Sequence, residues 1–155
     1  MFKHILIPTD GSPLANAAAA AGVQLAKALG ARVTGFFAAP AATPIIYSHF
    51  LPVGYMAPEE HAQLIEKAVR QNLSVIENAA RQAGVQYELV HVTSDFPADA
   101  IVDAADERRC DAIFIASHGH RGRRGPMLGS ETQKVAGQAA VPVVIYRNEA
   151  VFAQP

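Results

Sequence analysis

The sequence predicts an α/β fold, a parallel sheet with helices on both faces. Three observations predict it. Short apolar runs alternate with longer stretches whose apolar residues recur at three- and four-residue steps, giving the order β-α-β-α-β-α-β-α-β. One short run, Ala112 to Ala116 (AIFIA), is apolar at every position, as a central parallel strand covered on both faces must be. Turn and cap residues stand where the two periods exchange. Strict alternation of this kind implies parallel strands joined by right-handed crossovers.

The elements follow in order. Lys3 to Pro8 (KHILIP) is a short strand ended by its proline. Ser12 N-caps the next helix, with Pro13 at the first helical position, where a missing N–H is harmless. Leu14, Ala18, Ala21, Leu25 and Leu29 mark its face, and Gly30 stops it. The run Ala17 to Ala21 suits a closely packed helix. Val33 to Ala39 is the second strand. Pro40 to Pro58 holds four of the ten prolines and no charged side chain, yet carries Ile45, Ile46, Tyr47, Phe50, Leu51, Tyr55 and Met56. A connection so long and apolar is either packed on the nearest helix or a functional, lid-like loop. Pro58-Glu59-Glu60 opens a long helix with acids where the helix dipole favours them. Its stripe is Ile65, Val69, Leu73, Ile76, Ala80 and Ala83, and Gly84 ends it. Val85 to Val92 alternates as a half-buried strand, and Pro97 starts a helix with Ala98, Ile101, Val102 and Ala105 inward. Beyond Ala112–Ala116, Ser117 to Gly129 is a loop rich in Gly and Arg. Ser130-Glu131-Thr132-Gln133 reads as a capping box opening a helix with Val135 and Ala139, and Val141 to Arg147 is the last strand.

Composition bounds the function. A chain of 155 residues suits one domain, 1–155, burying roughly 68–70% of its unfolded surface. With half of its residues hydrophobic, disorder over most of the chain is excluded. Thirteen basic against 14 acidic side chains, a net charge of -1, argue against a general nucleic-acid or membrane-surface binder. The one cysteine, Cys110, excludes an internal disulfide framework and a cysteine zinc cage, and reads as a small buried hydrophobe. No apolar run is long enough to span a membrane, and Met1 to Pro8 lacks the features of a signal peptide. A cytoplasmic location is therefore expected.

In open parallel sheets, ligands bind beyond the carboxyl ends of the strands, where the strand order reverses. The loops there are Thr9–Ser12, the segment after Phe37, and Ser117–Gly129. The last ends at a helix start, where free N–H groups at Gly129, Ser130 and Glu131 and the helix dipole favour an anion. Arg121, Arg123 and Arg124 add positive charge. The loop is a phosphate cradle, or else a solvated loop whose Ser130 caps a helix. Asp10 either accepts hydrogen bonds from ribose or adenine, or closes a turn with Gly11 and Ser12. A P-loop and a G-x-G-x-x-G fingerprint are both absent. His118 and His120 lack the carboxylate a metal site would want. Ser117 and His118 are adjacent, a spacing that rarely lets a nucleophile face its base, and no G-x-S-x-G elbow exists. Neither a catalytic group nor a metal site is expected.

On these residues the sequence resembles the universal stress proteins. The resemblance spans nearly the whole chain: Ile5-Leu6-Ile7-Pro8-Thr9-Asp10-Gly11-Ser12 at the start, the element order, and Leu128-Gly129-Ser130 through Val141-Pro142-Val143-Val144. The family's nucleotide-binding branch carries G-x2-G-x9-G-[ST], and Gly119, nine residues, then Gly129-Ser130 fit it. The first motif glycine falls on Ala116. Alanine is harmless there if only a small residue is needed, and interferes if the backbone takes positive φ or touches the ribose. The resemblance implies a three-layer α/β/α sandwich, a Rossmann-like, adenine nucleotide alpha hydrolase-like fold with five parallel strands in the order 3-2-1-4-5. It implies ATP as ligand, with Mg²⁺ as the accompanying ion, and a homodimer formed through the C-terminal strand. Adenine and ribose are expected near Pro8, Thr9, Asp10, the main chain of Ala38, and Ala116. Phosphates are expected at Gly119, Gly129 and Ser130, with Glu131 and Thr132 beside them.

The expected function is therefore that of an ATP-binding regulatory or signalling module. Any hydrolysis would be slow, for want of a base to orient water or dedicated metal carboxylates. The alternative is a dimeric protein-interaction module that binds no ATP, which Ala116 would favour. An adenylyl transferase is disfavoured, because His118-Gly119-His120 is one residue short of H-x-G-H and follows the wrong strand.

Overall fold

The computed structural model describes residues 1–41, 57–120 and 126–148. The apolar residues Ile45 to Met56, and Arg121, Arg123 and Arg124, lie outside the described residues. The elements are β1 (His4–Pro8), α1 (Pro13–Leu29), β2 (Arg32–Ala39), α2 (Pro58–Ala83), β3 (Tyr87–Thr93), α3 (Pro97–Glu107), β4 (Ala112–Ala116), α4 (Ser130–Gln138) and β5 (Val143–Tyr146). All strand pairs are parallel, in the order β3-β2-β1-β4-β5. This is the expected 3-2-1-4-5 sheet.

Alternation along the central strands divides the core into two layers. Ile5 and Ile7 of β1, with Ala112 and Phe114 of β4, pack under α1 and α2. Leu6, Ile113 and Ile115 point the other way, under α3 and α4. Ile5, Leu6, Ile7 and Ile113 are fully buried. Each such side chain contributes about 1.5–3 kcal/mol through removal of apolar surface from water.

Helix ends follow local chemistry in α1. Ser12 Oγ accepts from Ala15 N at 3.2 Å, Pro13 opens the helix, and Gly30 closes it at φ 65°. Its buried face is offset from the expected one: Ala15, Ala19, Gly22, Val23 and Ala26 face the sheet with Leu14 and Ala18, whereas Leu29 is exposed. The cause is closeness of approach. A Cβ on Gly22 would stand 2.8 Å from Ile7 and 2.9 Å from Phe114, so only the smallest side chains fit at the contact line. Leu25 is displaced to its flank and Leu29 to solvent. In α3, Ala104 is buried beside Ala98, Ile101 and Ala105, and Val102 only partly so.

The capping box at α4 does not form. Gly129 occupies the N-cap position and Ser130 is already helical. Gln133 instead reaches back, its Nε2 donating to the carbonyl of Leu128 at 2.8 Å. The last strand starts later than expected, at Val143, and Pro142 contributes only its carbonyl, which accepts from Ile113 N at 2.9 Å.

A polar chain is buried at the opposite, amino-terminal edge of the sheet. His4 and Thr34 are buried on β1 and β2. Thr34 Oγ1 donates to Glu88 Oε1 at 2.8 Å, so its proton is engaged and His4 Nε2 is the donor in the 2.6 Å contact between them. Glu88 Oε2 also meets Arg108 at 3.3 Å. The Nδ1 of His4 is buried without a partner. Cys110 is buried as expected, and burial pushes its thiol up to about 11. Burial, and after it the Arg32 guanidinium, hold His4 below its ordinary value of 6.5. The unfolded chain therefore binds this proton more readily than the folded one, and the neutral imidazole supports the fold above 6.5. Stability measured by urea unfolding is expected to fall as pH drops below 6.5, and His4→Gln is expected to show a flatter dependence over that range.

Candidate functional site

Parallel pairing places the carboxyl ends of all the strands on one edge of the sheet. The order turns at β1, which has β2 on one side and β4 on the other. A cavity of about 610 Å³ opens there. Pro8, Thr9 and Asp10 line it from the end of β1, and Ala38 from β2. Ala116 lines it from β4, Gly119 from the following loop, and Gly129, Ser130, Glu131 and Thr132 from the start of α4. All ten residues singled out from the sequence thus wall one space.

Asp10 holds two loops together. Its Oδ1 accepts from Ser12 N at 2.9 Å, closing the turn into α1. Its Oδ2 accepts from His120 N at 3.0 Å, and His120 Nε2 returns to the Asp10 carbonyl at 2.8 Å. The turn-forming role and the cavity-lining position therefore coexist in one residue. A Cβ on Gly119 would collide with Asp10 Oδ2, which explains the glycine at that position. Thr9 Oγ1 accepts from Gly11 N at 3.0 Å and stiffens the same turn.

The start of α4 is tied back to β4. Gly129 N donates to Ser117 O at 2.8 Å, and Thr132 Oγ1 donates to Ala116 O at 2.8 Å. Two sequence expectations change accordingly. The Gly129 amide is already engaged and the Thr132 hydroxyl is spent within the fold, so the orphan donors of the helix start at Ser130. Ala116 is an ordinary strand residue paired with Tyr146. Among the described residues Arg109 (φ 53°) is the only non-glycine with positive φ, so the methyl of Ala116 brings no backbone strain. Glu131 Oε2 accepts from Ala98 N at 2.9 Å and thereby caps α3, while its Oε1 meets Lys134 Nζ at 3.1 Å.

Ser117 and His118 do face one another, contrary to what their adjacency suggests. Ser117 Oγ lies 3.0 Å from His118 Nδ1, and the two residues are 2% and 6% exposed. The strand ends at Ala116, and the turn beyond it brings successive side chains to the same side. His118 and His120 both line the cavity. Ser94 and Asp95, from the segment joining β3 to α3, and Pro97 at the start of α3 also line it, and sequence reasoning missed them as site residues. Their place beyond the carboxyl end of β3 was the available signal. Asp95 Oδ1 accepts from Ala41 N at 3.0 Å. The charged lining among the described residues is acidic: Asp10, Asp95 and Glu131, with neither lysine nor arginine. Among the described residues no group of three or more His, Cys, Asp or Glu side chains is arranged to hold a metal ion. No helix among them is long and apolar enough to cross a membrane.

Fold and crevice together define a doubly wound α/β protein open at its switch point. A model of the universal stress protein family matches residues 1–147, and the chain belongs to that family. The Bacillus subtilis universal stress protein YxiE is 32% identical over 151 residues, covering 95% of this chain and all of the relative. Among solved structures, the universal stress protein UspA from Lactobacillus plantarum superposes with a TM-score of 0.72 at 19% identity, over 94% of this chain and 98% of that one. A universal stress protein in complex with cAMP gives 0.67 at 22% identity, over 94% and 97% of the two chains. The Archaeoglobus fulgidus protein in complex with dAMP gives 0.58 at 22%, over 95% and 98%.

The junction at Asp10 makes its own test. Asp10→Ala removes the acceptor of Ser12 N and of His120 N. Hydrogen exchange is expected to quicken at least about tenfold at these two amides while the β1 and β4 core amides keep their protection.

Proposed function

We propose that this universal stress protein binds an adenine nucleotide in the cavity at the switch point, ATP with Mg²⁺ included, and works as a cytoplasmic regulatory module. The observation that carries the reading is the convergence of the family-motif positions Asp10, Gly119, Gly129 and Ser130 on one cavity. Its volume of about 610 Å³ lies in the range of small-molecule sites. The cAMP and dAMP complexes of proteins with the same fold support the ligand class.

In this reading the apolar wall takes the adenine: Pro8, Phe37, Ala38 and Ile115 face the cavity. Asp10 and the main chain near Ala38 offer polar groups for the base and the ribose. Ser130 and the unsatisfied amides of the first turn of α4 receive phosphate. Gly119 permits the backbone to run beside Asp10 at the mouth. Bound Mg²⁺ would neutralise phosphate charge. The reading assigns binding and no reaction to the site.

β5 supports the homodimer. It stands at one edge of the sheet, and Val143, Val144, Ile145 and Tyr146 are all only half-buried. An apolar edge left open invites pairing, and a second copy of the same strand satisfies it.

Calorimetric titration with AMP and with ATP plus Mg²⁺ is expected to give saturable binding. Gly119→Val, which drives a side chain into Asp10, is expected to weaken it at least about tenfold. No binding by the native chain, with binding restored in Ala116→Gly, would instead favour the module that works without nucleotide.

A further inference from the structure

We infer that the Glu131 carboxylate sets how much phosphate charge the cavity accepts, disfavouring free ATP relative to AMP. The inference rests on the adenine-nucleotide reading and adds the charge class of the ligand. Glu131 is the second residue of α4 and lines the cavity at the helix start, the place where a phosphate would be drawn. Its carboxylate does not swing away into solvent. Oε2 is fixed on Ala98 N at 2.9 Å, which holds the carboxylate at the wall, and the exposed Lys134 ammonium, 3.1 Å from Oε1, offsets part of its charge.

The same bond removes a competing anion site. α3 also starts at the cavity, through Pro97, and its N-cap residue Phe96 supplies no side-chain acceptor. Glu131 fills that role from the neighbouring helix and satisfies a positive helix end that a second or third phosphate could otherwise use. Asp10 and Asp95 add negative charge to the same lining. A single phosphate can sit on the free amides of α4. Each further phosphate brings charge of the same sign as these three carboxylates, and the repulsion grows as the phosphate nears them. Magnesium cancels part of the triphosphate charge, so the metal complex of ATP meets less of this barrier than free ATP.

Glu131→Gln is the discriminating variant, because an amide oxygen still accepts from Ala98 N while the charge is gone. Affinities of AMP and of metal-free ATP, in the presence of a chelator, are measured by calorimetry for the native chain and the variant. The ratio of ATP to AMP dissociation constants is expected to fall about three- to tenfold in Glu131→Gln. In the native chain the ratio is expected to shrink as salt is raised, and in the variant to shrink less. Lys134 loses its carboxylate partner in this variant, so the comparison is repeated in a Lys134→Gln background, where the fall in the ratio is expected to persist; its disappearance there overturns the inference. Binding of both ligands with an unchanged ratio, or equal weakening of both, overturns the inference and leaves the nucleotide reading standing. Failure of the native chain to bind either ligand overturns both.

Discussion

A strand buried on both faces can offer chemistry only at its ends. β1 and β4 are such strands, each of their residues buried between two helical layers. Every outward interaction of the sheet centre is therefore confined to the loops. Parallel pairing puts all the carboxyl ends on one edge, and the reversal of direction at β1 parts the helices there. The crevice follows from that constraint before any side chain lining it is considered. The amino-terminal edge, under the same constraint, closes on itself. There the His4–Thr34–Glu88 chain pairs the buried His4 Nε2 and the Thr34 hydroxyl, and His4 Nδ1 is left without a partner.

At the open edge the two central loops are not independent. Asp10 joins the turn after β1 to the loop after β4, and the missing side chain of Gly119 lets them approach. Thr132 and Gly129 anchor the following helix on the last carbonyls of β4 and its loop. These few contacts bring residues more than a hundred positions apart in sequence to one wall. The lining is consequently preorganised by the fold, which lowers what a ligand must order on entry.

Much of this was legible in the sequence because two periods carry it. AIFIA could only be a central strand, and Ser12-Pro13 with Gly30 bounded α1 correctly. The crevice residues were reached by combining strand ends with glycine spacing. What was not legible depends on distance in space rather than in sequence. Leu25 and Leu29 satisfied helical spacing yet gave way to alanines, because closeness of α1 to Phe114 is a property of the packing. The capping box at Ser130 was a local pattern defeated by a tertiary partner: Gly129 was already held by Ser117. Asp95 carried no motif, and only its place past β3 marked it. Glu131 looked like part of a box, and its partner proved to be Ala98 on another helix, 33 residues away in sequence.

The bond from Gly129 N to Ser117 O brings the chain back to the scaffold almost where it departed. The two ends of the β4–α4 connection are thereby fixed by each other, independently of what joins them. Closure entropy changes slowly with the length of such a segment. The position of α4 is thus set by the end of β4, through Ser117 O and Ala116 O. A ligand that meets the first turn of α4 therefore meets a helix seated on the same strand end that floors the crevice, and the two act as one wall.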